Sequence, residues 1–113
     1  MITAIVRYQL PPAITKKDCL EHFHMIAPGF QDVKGLHSKH FIWNVETDIA
    51  GGIYQWSSLE EAKAFYSGPW MDGIVERYGQ KPSIEYFEVF AITDNKNGSV
   101  ELHEVSADDA PAS

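Results

Sequence analysis

The sequence predicts an α+β fold in which two helices cover one face of a four-stranded antiparallel sheet. Three observations carry that prediction: four apolar runs rich in β-branched and aromatic residues, helix-period stripes between them, and Pro, Gly or polar turn residues at the junctions. The resulting order is β-α-β-β-α-β.

Residues 2–10 (ITAIVRYQL) form the first strand, which stops at Pro11 and Pro12 because proline cannot donate to a sheet ladder. Thr15 is placed to cap a helix, with Asp18 three residues on as the acidic half of a capping box. Cys19, Leu20, Phe23, Ile26 and Ala27 recur at helical spacing and make one apolar stripe, and Pro28 and Gly29 close the helix. Residues 36–44 (LHSKHFIWN) and 48–56 (DIAGGIYQW) are two more strands, joined as a hairpin by a turn at 46–48. Ser57 or Ser58 caps the next helix, in which Leu59, Ala62, Phe65 and Tyr66 face one way. Pro69 suits the first position of a further short helix. Residues 83–94 (SIEYFEVFAITD) complete the sheet as one long strand. This order is the ferredoxin-like split β-α-β arrangement.

The chain has 113 residues, the size of one domain. That domain is expected over residues 1–94, followed by an acidic C-terminal tail, 95–113, that is partly disordered. Within the tail, 100–105 (VELHEV) suits a short extra strand laid on a partner subunit, whereas 106–113 (SADDAPAS) has no apolar anchor.

Nine basic against sixteen acidic side chains give a net charge of −7. Nucleic acid and anionic membranes both require clustered Lys and Arg, so neither is an expected partner. No apolar run is long enough to span a bilayer, no charged-then-apolar leader opens the chain, and a cytoplasmic location is expected. The single cysteine, Cys19, excludes an intrachain disulfide framework and a multi-cysteine zinc site.

Both parities of the last strand are apolar: Ile84, Tyr86, Phe90 and Ile92 on one side, Phe87, Val89 and Ala91 on the other. The second strand likewise sets Ile42 against Phe41 and Trp43. Helices on one face leave the other uncovered. A second copy is therefore expected there, giving a homodimer through the sheets.

The five histidines make no metal site by spacing. His22 and His24 lie about 200° apart around a helix. His37 and His40 alternate across a strand, and His103 lies in the tail. No HExxH, Walker or dinucleotide-binding glycine pattern occurs, no serine sits in a nucleophile elbow, and Cys19 falls on an apolar stripe. What remains is an aromatic interior, with Phe23, Phe65 and Trp70 on helices and Tyr54 on a strand. Gly51, Gly52, Gly68 and Gly73 remove volume nearby. Large rings beside missing side chains leave room for a flat organic ligand, although each ring singly is also an ordinary core residue. His24 borders the helical stripe and His40 lies mid-strand. Either is a structural histidine or, lining a pocket, a base that takes a phenolic proton near neutral pH. Arg7 and Lys39 are mid-strand cations, suited to an interface salt bridge or to holding an anion.

The stretches GLHSKHFIWN (35–44) and AGGIYQWSSLEEAKAFY (50–66) carry a family resemblance. Over residues 1–94 the chain resembles the YdhR-like monooxygenases of the dimeric α/β-barrel superfamily. The shared positions are Gly35, Lys39, the aromatic Phe41, the block from Ala50 through Tyr54, and the Glu/Ala-rich helix after it. The resemblance implies a ferredoxin-like fold that dimerises through its sheets, with a pocket between sheet and helices in each subunit. It also implies oxidation of phenols or quinols by dioxygen without a cofactor, the protein binding, deprotonating and desolvating the substrate. No catalytic set carries over, because the matching motif is structural. The acidic tail and extra histidines depart from the family.

The expected function is thus a cofactor-independent monooxygenase acting on a small phenol- or quinol-type aromatic. His24 or His40 is the expected base, Tyr54, Trp70, Phe23 and Phe65 are expected to hold the ring, and neither metal nor cofactor is expected. The alternative is a non-catalytic small-molecule-binding or stress-response module on the same fold. Haem binding, as in other branches of the superfamily, asks for an axial histidine near the second helix, and residues 41–102 contain none.

Overall fold

β1 (Ile2–Gln9) pairs antiparallel with β3 (Ile49–Trp56) on one side and β4 (Ser83–Glu88) on the other, in a computed structural model that describes residues 1–104. β2 (Leu36–Trp43) adds outside β3, giving the strand order β2-β3-β1-β4. Alternation along β1 explains its central place. Ala4, Val6 and Tyr8 are buried toward the helices, and Thr3, Ile5 and Arg7 point to the opposite face. The ferredoxin-like order expected from the sequence is the one observed.

α1 (Lys16–Ile26) opens on the expected capping box. The Thr15 hydroxyl accepts from the Asp18 N–H at 3.1 Å, and the Asp18 carboxylate accepts from the Thr15 N–H at 3.1 Å. The helix buries Cys19 and Phe23, but Leu20 is 50% exposed. Leu20 follows Cys19 by about 100° of helical rotation, which carries it off the core-facing stripe. One 3-10 turn (Ala27–Phe30) continues the helix and brings the Phe30 ring within 5.5 Å of Phe41 and 6.3 Å of Tyr54.

The β2–β3 turn is held by Asn44, whose side-chain oxygen accepts from the backbone N–H of Glu46 at 2.8 Å and of Thr47 at 3.2 Å. α2 (Leu59–Tyr66) is capped by Ser58 and tied to β3 by a buried bond from the Trp56 indole N–H to the Tyr66 hydroxyl at 3.1 Å. α3 (Pro69–Tyr78) starts with its proline at the first helical position and ends at Gly79, in the left-handed region at φ 81°. The second crossover is therefore a broken helix, with Ser67 and Gly68 at the break.

The single long strand expected over 83–94 is two strands. β4 ends at Glu88, opposite Ile2, and the Met1 carbonyl accepts from Val89 N–H at 3.0 Å. The chain then pairs with its own return: β5 (Ala91–Asp94) and β6 (Ser99–Leu102) form a separate antiparallel hairpin. Its turn is built on the Asp94 carboxylate, which accepts from the N–H groups of Lys96 and Asn97 at 3.1 Å each. Phe90, Val100 and Leu102 of this arm are exposed. The extra strand expected at 100–105 thus begins at Ser99 and pairs within its own chain; Val105 and the segment 106–113 lie outside the described residues.

The face away from the helices mixes isoleucines with polar groups. Ile5, Ile42, Ile49 and Ile53 are half-buried and Phe87 is 48% exposed. Arg7 forms an ion pair there with Glu85 on the adjacent strand, and the Thr3 hydroxyl donates to Gln55 at 2.7 Å. Among the described helices none is long and apolar enough to cross a membrane.

Candidate functional site

Between the helices and the sheet lies a cavity of about 260 Å³. Its floor is the helix-facing parity of three strands: Tyr8 on β1, Lys39 on β2 and Tyr54 on β3. Phe23 on α1 and Phe30 of the 3-10 turn form one wall, and Trp70 and Tyr78 on α3 form the other. The floor has room because Gly52, the helix-facing member of the glycine pair in β3, carries no side chain. A Cβ on Gly52 would meet Tyr54 Cε1 at 2.8 Å and Lys39 Cε at 2.9 Å, so the missing side chain is the space those two occupy.

Lys39 is the most unusual group in the cavity. Its ammonium lies 3.7 Å from the centre of the Phe30 ring, 3.8 Å from Phe41 and 4.7 Å from Tyr54. Among the described residues no carboxylate pairs with it. Burial lowers its pKa from the ordinary 10.5 to about 7. The three ring faces act in the opposite sense, favouring the ammonium by roughly 0.5–2 kcal/mol per good contact. A half-buried lysine placed in this way loses its proton more readily than one in water.

The phenols around it are the reverse case. Burial, helped by the adjoining Tyr78 hydroxyl, pushes the Tyr8 phenol well above its ordinary value. Burial does the same to Tyr54, with the Trp70 indole N–H opposing it. Both hydroxyls are therefore neutral donors. Tyr8 and Tyr78 stack at 4.1 Å, which fixes the end wall.

The cavity reaches the surface in two directions. His22, Gly73 and Arg77 line both the cavity and an outer groove of about 710 Å³ between α1 and α3. Phe30 and Lys39 line both the cavity and a second groove of about 490 Å³ along β2. Burial, then the positive charges of Arg77 and Lys39, lower the His22 pKa.

Of the residues singled out from the sequence, Phe23, Tyr54 and Trp70 line the cavity. Phe65 stands behind the wall, 6.1 Å from Phe30 and 6.0 Å from Trp70 between ring centres. His24 is exposed on α1, and His40 is exposed on the far face of the sheet, opposite Ile53. Neither lines the cavity; the histidine that does is His22. Lys39, read from sequence as an interface cation or anion holder, faces the helices instead. The signal for that was its parity: it shares a face with Phe41 and Trp43 and alternates with His40 and Ile42. Among the described residues no three His, Cys, Asp or Glu side chains gather to hold a metal.

No protein-family model matches the chain, and no curated protein matches it. Solved structures do. MhuD with two manganese protoporphyrin IX molecules bound per active site is 16% identical, over 84% of this chain and 100% of that one, with a TM-score of 0.65. A Streptomyces coelicolor monooxygenase from the gene ActVA-Orf6, in complex with nanaomycin D, is 16% identical over 83% of this chain and 92% of its own, with a TM-score of 0.61. A Bordetella bronchiseptica protein bearing the name antibiotic biosynthesis monooxygenase is 14% identical over 78% of this chain and 95% of its own, with a TM-score of 0.62. At these identities the likeness establishes a shared fold.

Proposed function

We propose that the cavity binds a small phenol-type aromatic and that Lys39 accepts its hydroxyl proton, so that the bound phenolate reduces dioxygen without a metal or organic cofactor. The observation that carries this is the Lys39 side chain, set among ring faces in an aromatic-walled cavity with no carboxylate paired to it among the described residues. An ammonium is penalised there, a neutral amine is a base, and a phenolate formed beside it supplies the missing counter-charge. Lys39 takes the role expected of His24 or His40, which stand outside the cavity. Tyr54, Trp70 and Phe23 hold the ring, and Phe65 supports the wall behind them.

The reaction balances with dioxygen as co-reactant. A phenol with a free para C–H and one dioxygen give a quinone and one water. One oxygen atom enters the ring, the other leaves as water with the hydroxyl and ring hydrogens, and the substrate supplies the electrons. The protein contributes binding, the base and exclusion of water. A volume of about 260 Å³ lies just below the range of about 300–1,000 Å³ typical of drug-sized sites, which suits one or two rings. That proteins of this fold are solved with nanaomycin D and with manganese protoporphyrin IX supports a small-molecule site here.

A second copy on the open sheet face belongs to the same reading, together with the YdhR-like assignment and a cytoplasmic location. The half-buried isoleucines of that face and the exposed Phe87 support the dimer, and the free, buried Cys19 thiol accords with a reducing compartment. Light scattering at micromolar concentration tests the dimer, and a monomer there contradicts it.

An oxygen electrode with 1-naphthol tests the chemistry, the product being 1,4-naphthoquinone. Uptake above the buffer rate, falling by about a hundred-fold or more in Lys39→Met, is expected for loss of a general base. Retention of unchanged 1-naphthol in native mass spectrometry, with no uptake, supports the binding-module alternative instead.

A further inference from the structure

This is an acidic protein with a basic cavity. Sixteen acidic side chains outnumber nine basic ones in the chain, yet among the described residues Lys39, His22 and Arg77 line the cavity and no Asp or Glu does. Arg77 donates from Nε to the Tyr78 hydroxyl at 3.3 Å, and among the described residues no carboxylate pairs with its guanidinium. Asp18, Glu21 and Glu76 line only the outer groove.

The mouth between groove and cavity is also kept open. Gly73 sits inside α3, where glycine costs about 1 kcal/mol relative to alanine. No heavy atom lies within 4 Å of a Cβ placed there, so packing does not require the glycine. It shares the mouth with His22 and Arg77, the two basic groups nearest the outside.

We infer that the ligand is a hydroxyaryl carboxylate of one or two rings, its hydroxyl toward Lys39 and its carboxylate held at the mouth by Arg77 and His22. The hydroxyl end rests on the function proposed above; the carboxylate end rests on the charge and shape of the mouth. A guanidinium with free terminal N–H groups offers a carboxylate two parallel hydrogen bonds, and His22 adds a ring N–H beside it. The aromatic walls between them take the ring faces.

The test is calorimetric titration of the full chain with 6-hydroxy-2-naphthoate, its methyl ester and 2-naphthol. The acid is expected to bind about ten-fold or more tighter than the ester, as a charge-assisted bond worth roughly 1.5–3 kcal/mol requires. Arg77→Gln is expected to bring the acid-to-ester ratio near one, and Arg77→Lys to restore part of it. Equal affinity of the native chain for acid and ester, no binding of the acid, or an equal loss for both ligands in Arg77→Gln overturns the inference. Dioxygen uptake recorded on 1-naphthol, whose para C–H is free, separates the two readings. Acid preference without uptake of 1-naphthol upholds the carboxylate site and defeats the oxidation; uptake of 1-naphthol without acid preference does the reverse.

Discussion

Lys39 and Tyr54 face each other across β2 and β3, and the lysine ammonium lies 4.7 Å from the centre of the tyrosine ring. Gly52, two residues before Tyr54 on the same face, leaves them that room. A glycine pair that weakens a strand locally is thereby tied to one placement of a cation in an apolar wall.

Restoring the missing carbon should be costly. Gly52→Ala is expected to destabilise the fold by about 1–3 kcal/mol, the usual cost of overpacking, because Lys39 and Tyr54 must give way. Gly51→Ala should cost more, since its Cβ lands on the Val6 carbonyl, and backbone cannot swing aside as a side chain can. Urea denaturation measures both; a harmless Gly51→Ala would refute the close approach of β1 and β3.

The lowered pKa of the half-buried Lys39 predicts a pH dependence of stability with a definite sign. Below pH 7 Lys39 is protonated in both states and its full burial cost is present. Between about 7 and the ordinary 10.5 the unfolded chain binds more proton, so native stability rises with pH, by up to about 1.4 kcal/mol per unit. Lys39→Met should therefore be more stable than the native chain at about pH 6, with the advantage shrinking by about pH 9. Paired denaturation curves check this, and a constant difference would contradict the lowered pKa.

Tyr66→Phe removes one oxygen and leaves the Trp56 indole N–H, fully buried, without its acceptor. A loss of about 1–3 kcal/mol is expected in thermal or chemical unfolding.

Filling the mouth should separate stability from access. Gly73→Leu gains helix propensity of about 1 kcal/mol, and its Cβ meets no neighbour, so the melting temperature should rise. The same side chain projects into the mouth and should slow association of 6-hydroxy-2-naphthoate in stopped flow. An unaltered on-rate would place the mouth elsewhere.

His24→Ala and His40→Ala should each leave 1-naphthol oxidation within about two-fold of the native rate, since neither side chain reaches the cavity. A loss of two or more orders of magnitude, the scale of a missing base, would return that role to the histidine concerned.

Local signals were the readable ones. The capping box at Thr15 and Asp18, the proline that starts α3 and the end of β1 ahead of Pro11 each depend on residues close in sequence, and each is observed. The length of the last strand was not readable, because the start of β1, opposite its end, lies more than eighty residues away. Which histidine faces the cavity was not readable for a related reason. His22 and His24 lie about 200° apart on α1, so only one can face the cavity, and the stripe alone does not fix which. The helix-facing side of Lys39 was legible in the parity it shares with Phe41 and Trp43, but a mid-strand cation suits an interface ion pair as well as an anion site.

Phe30 and Lys39 line both the cavity and the groove along β2, and that groove shares no residue with the one at the mouth. On the proposed reading, ligand and proton then have separate doors. A proton taken up by Lys39 would pass to bulk water through the β2 side while the ring still fills the α1–α3 side, so resetting the proposed base would not wait for the occupant to leave.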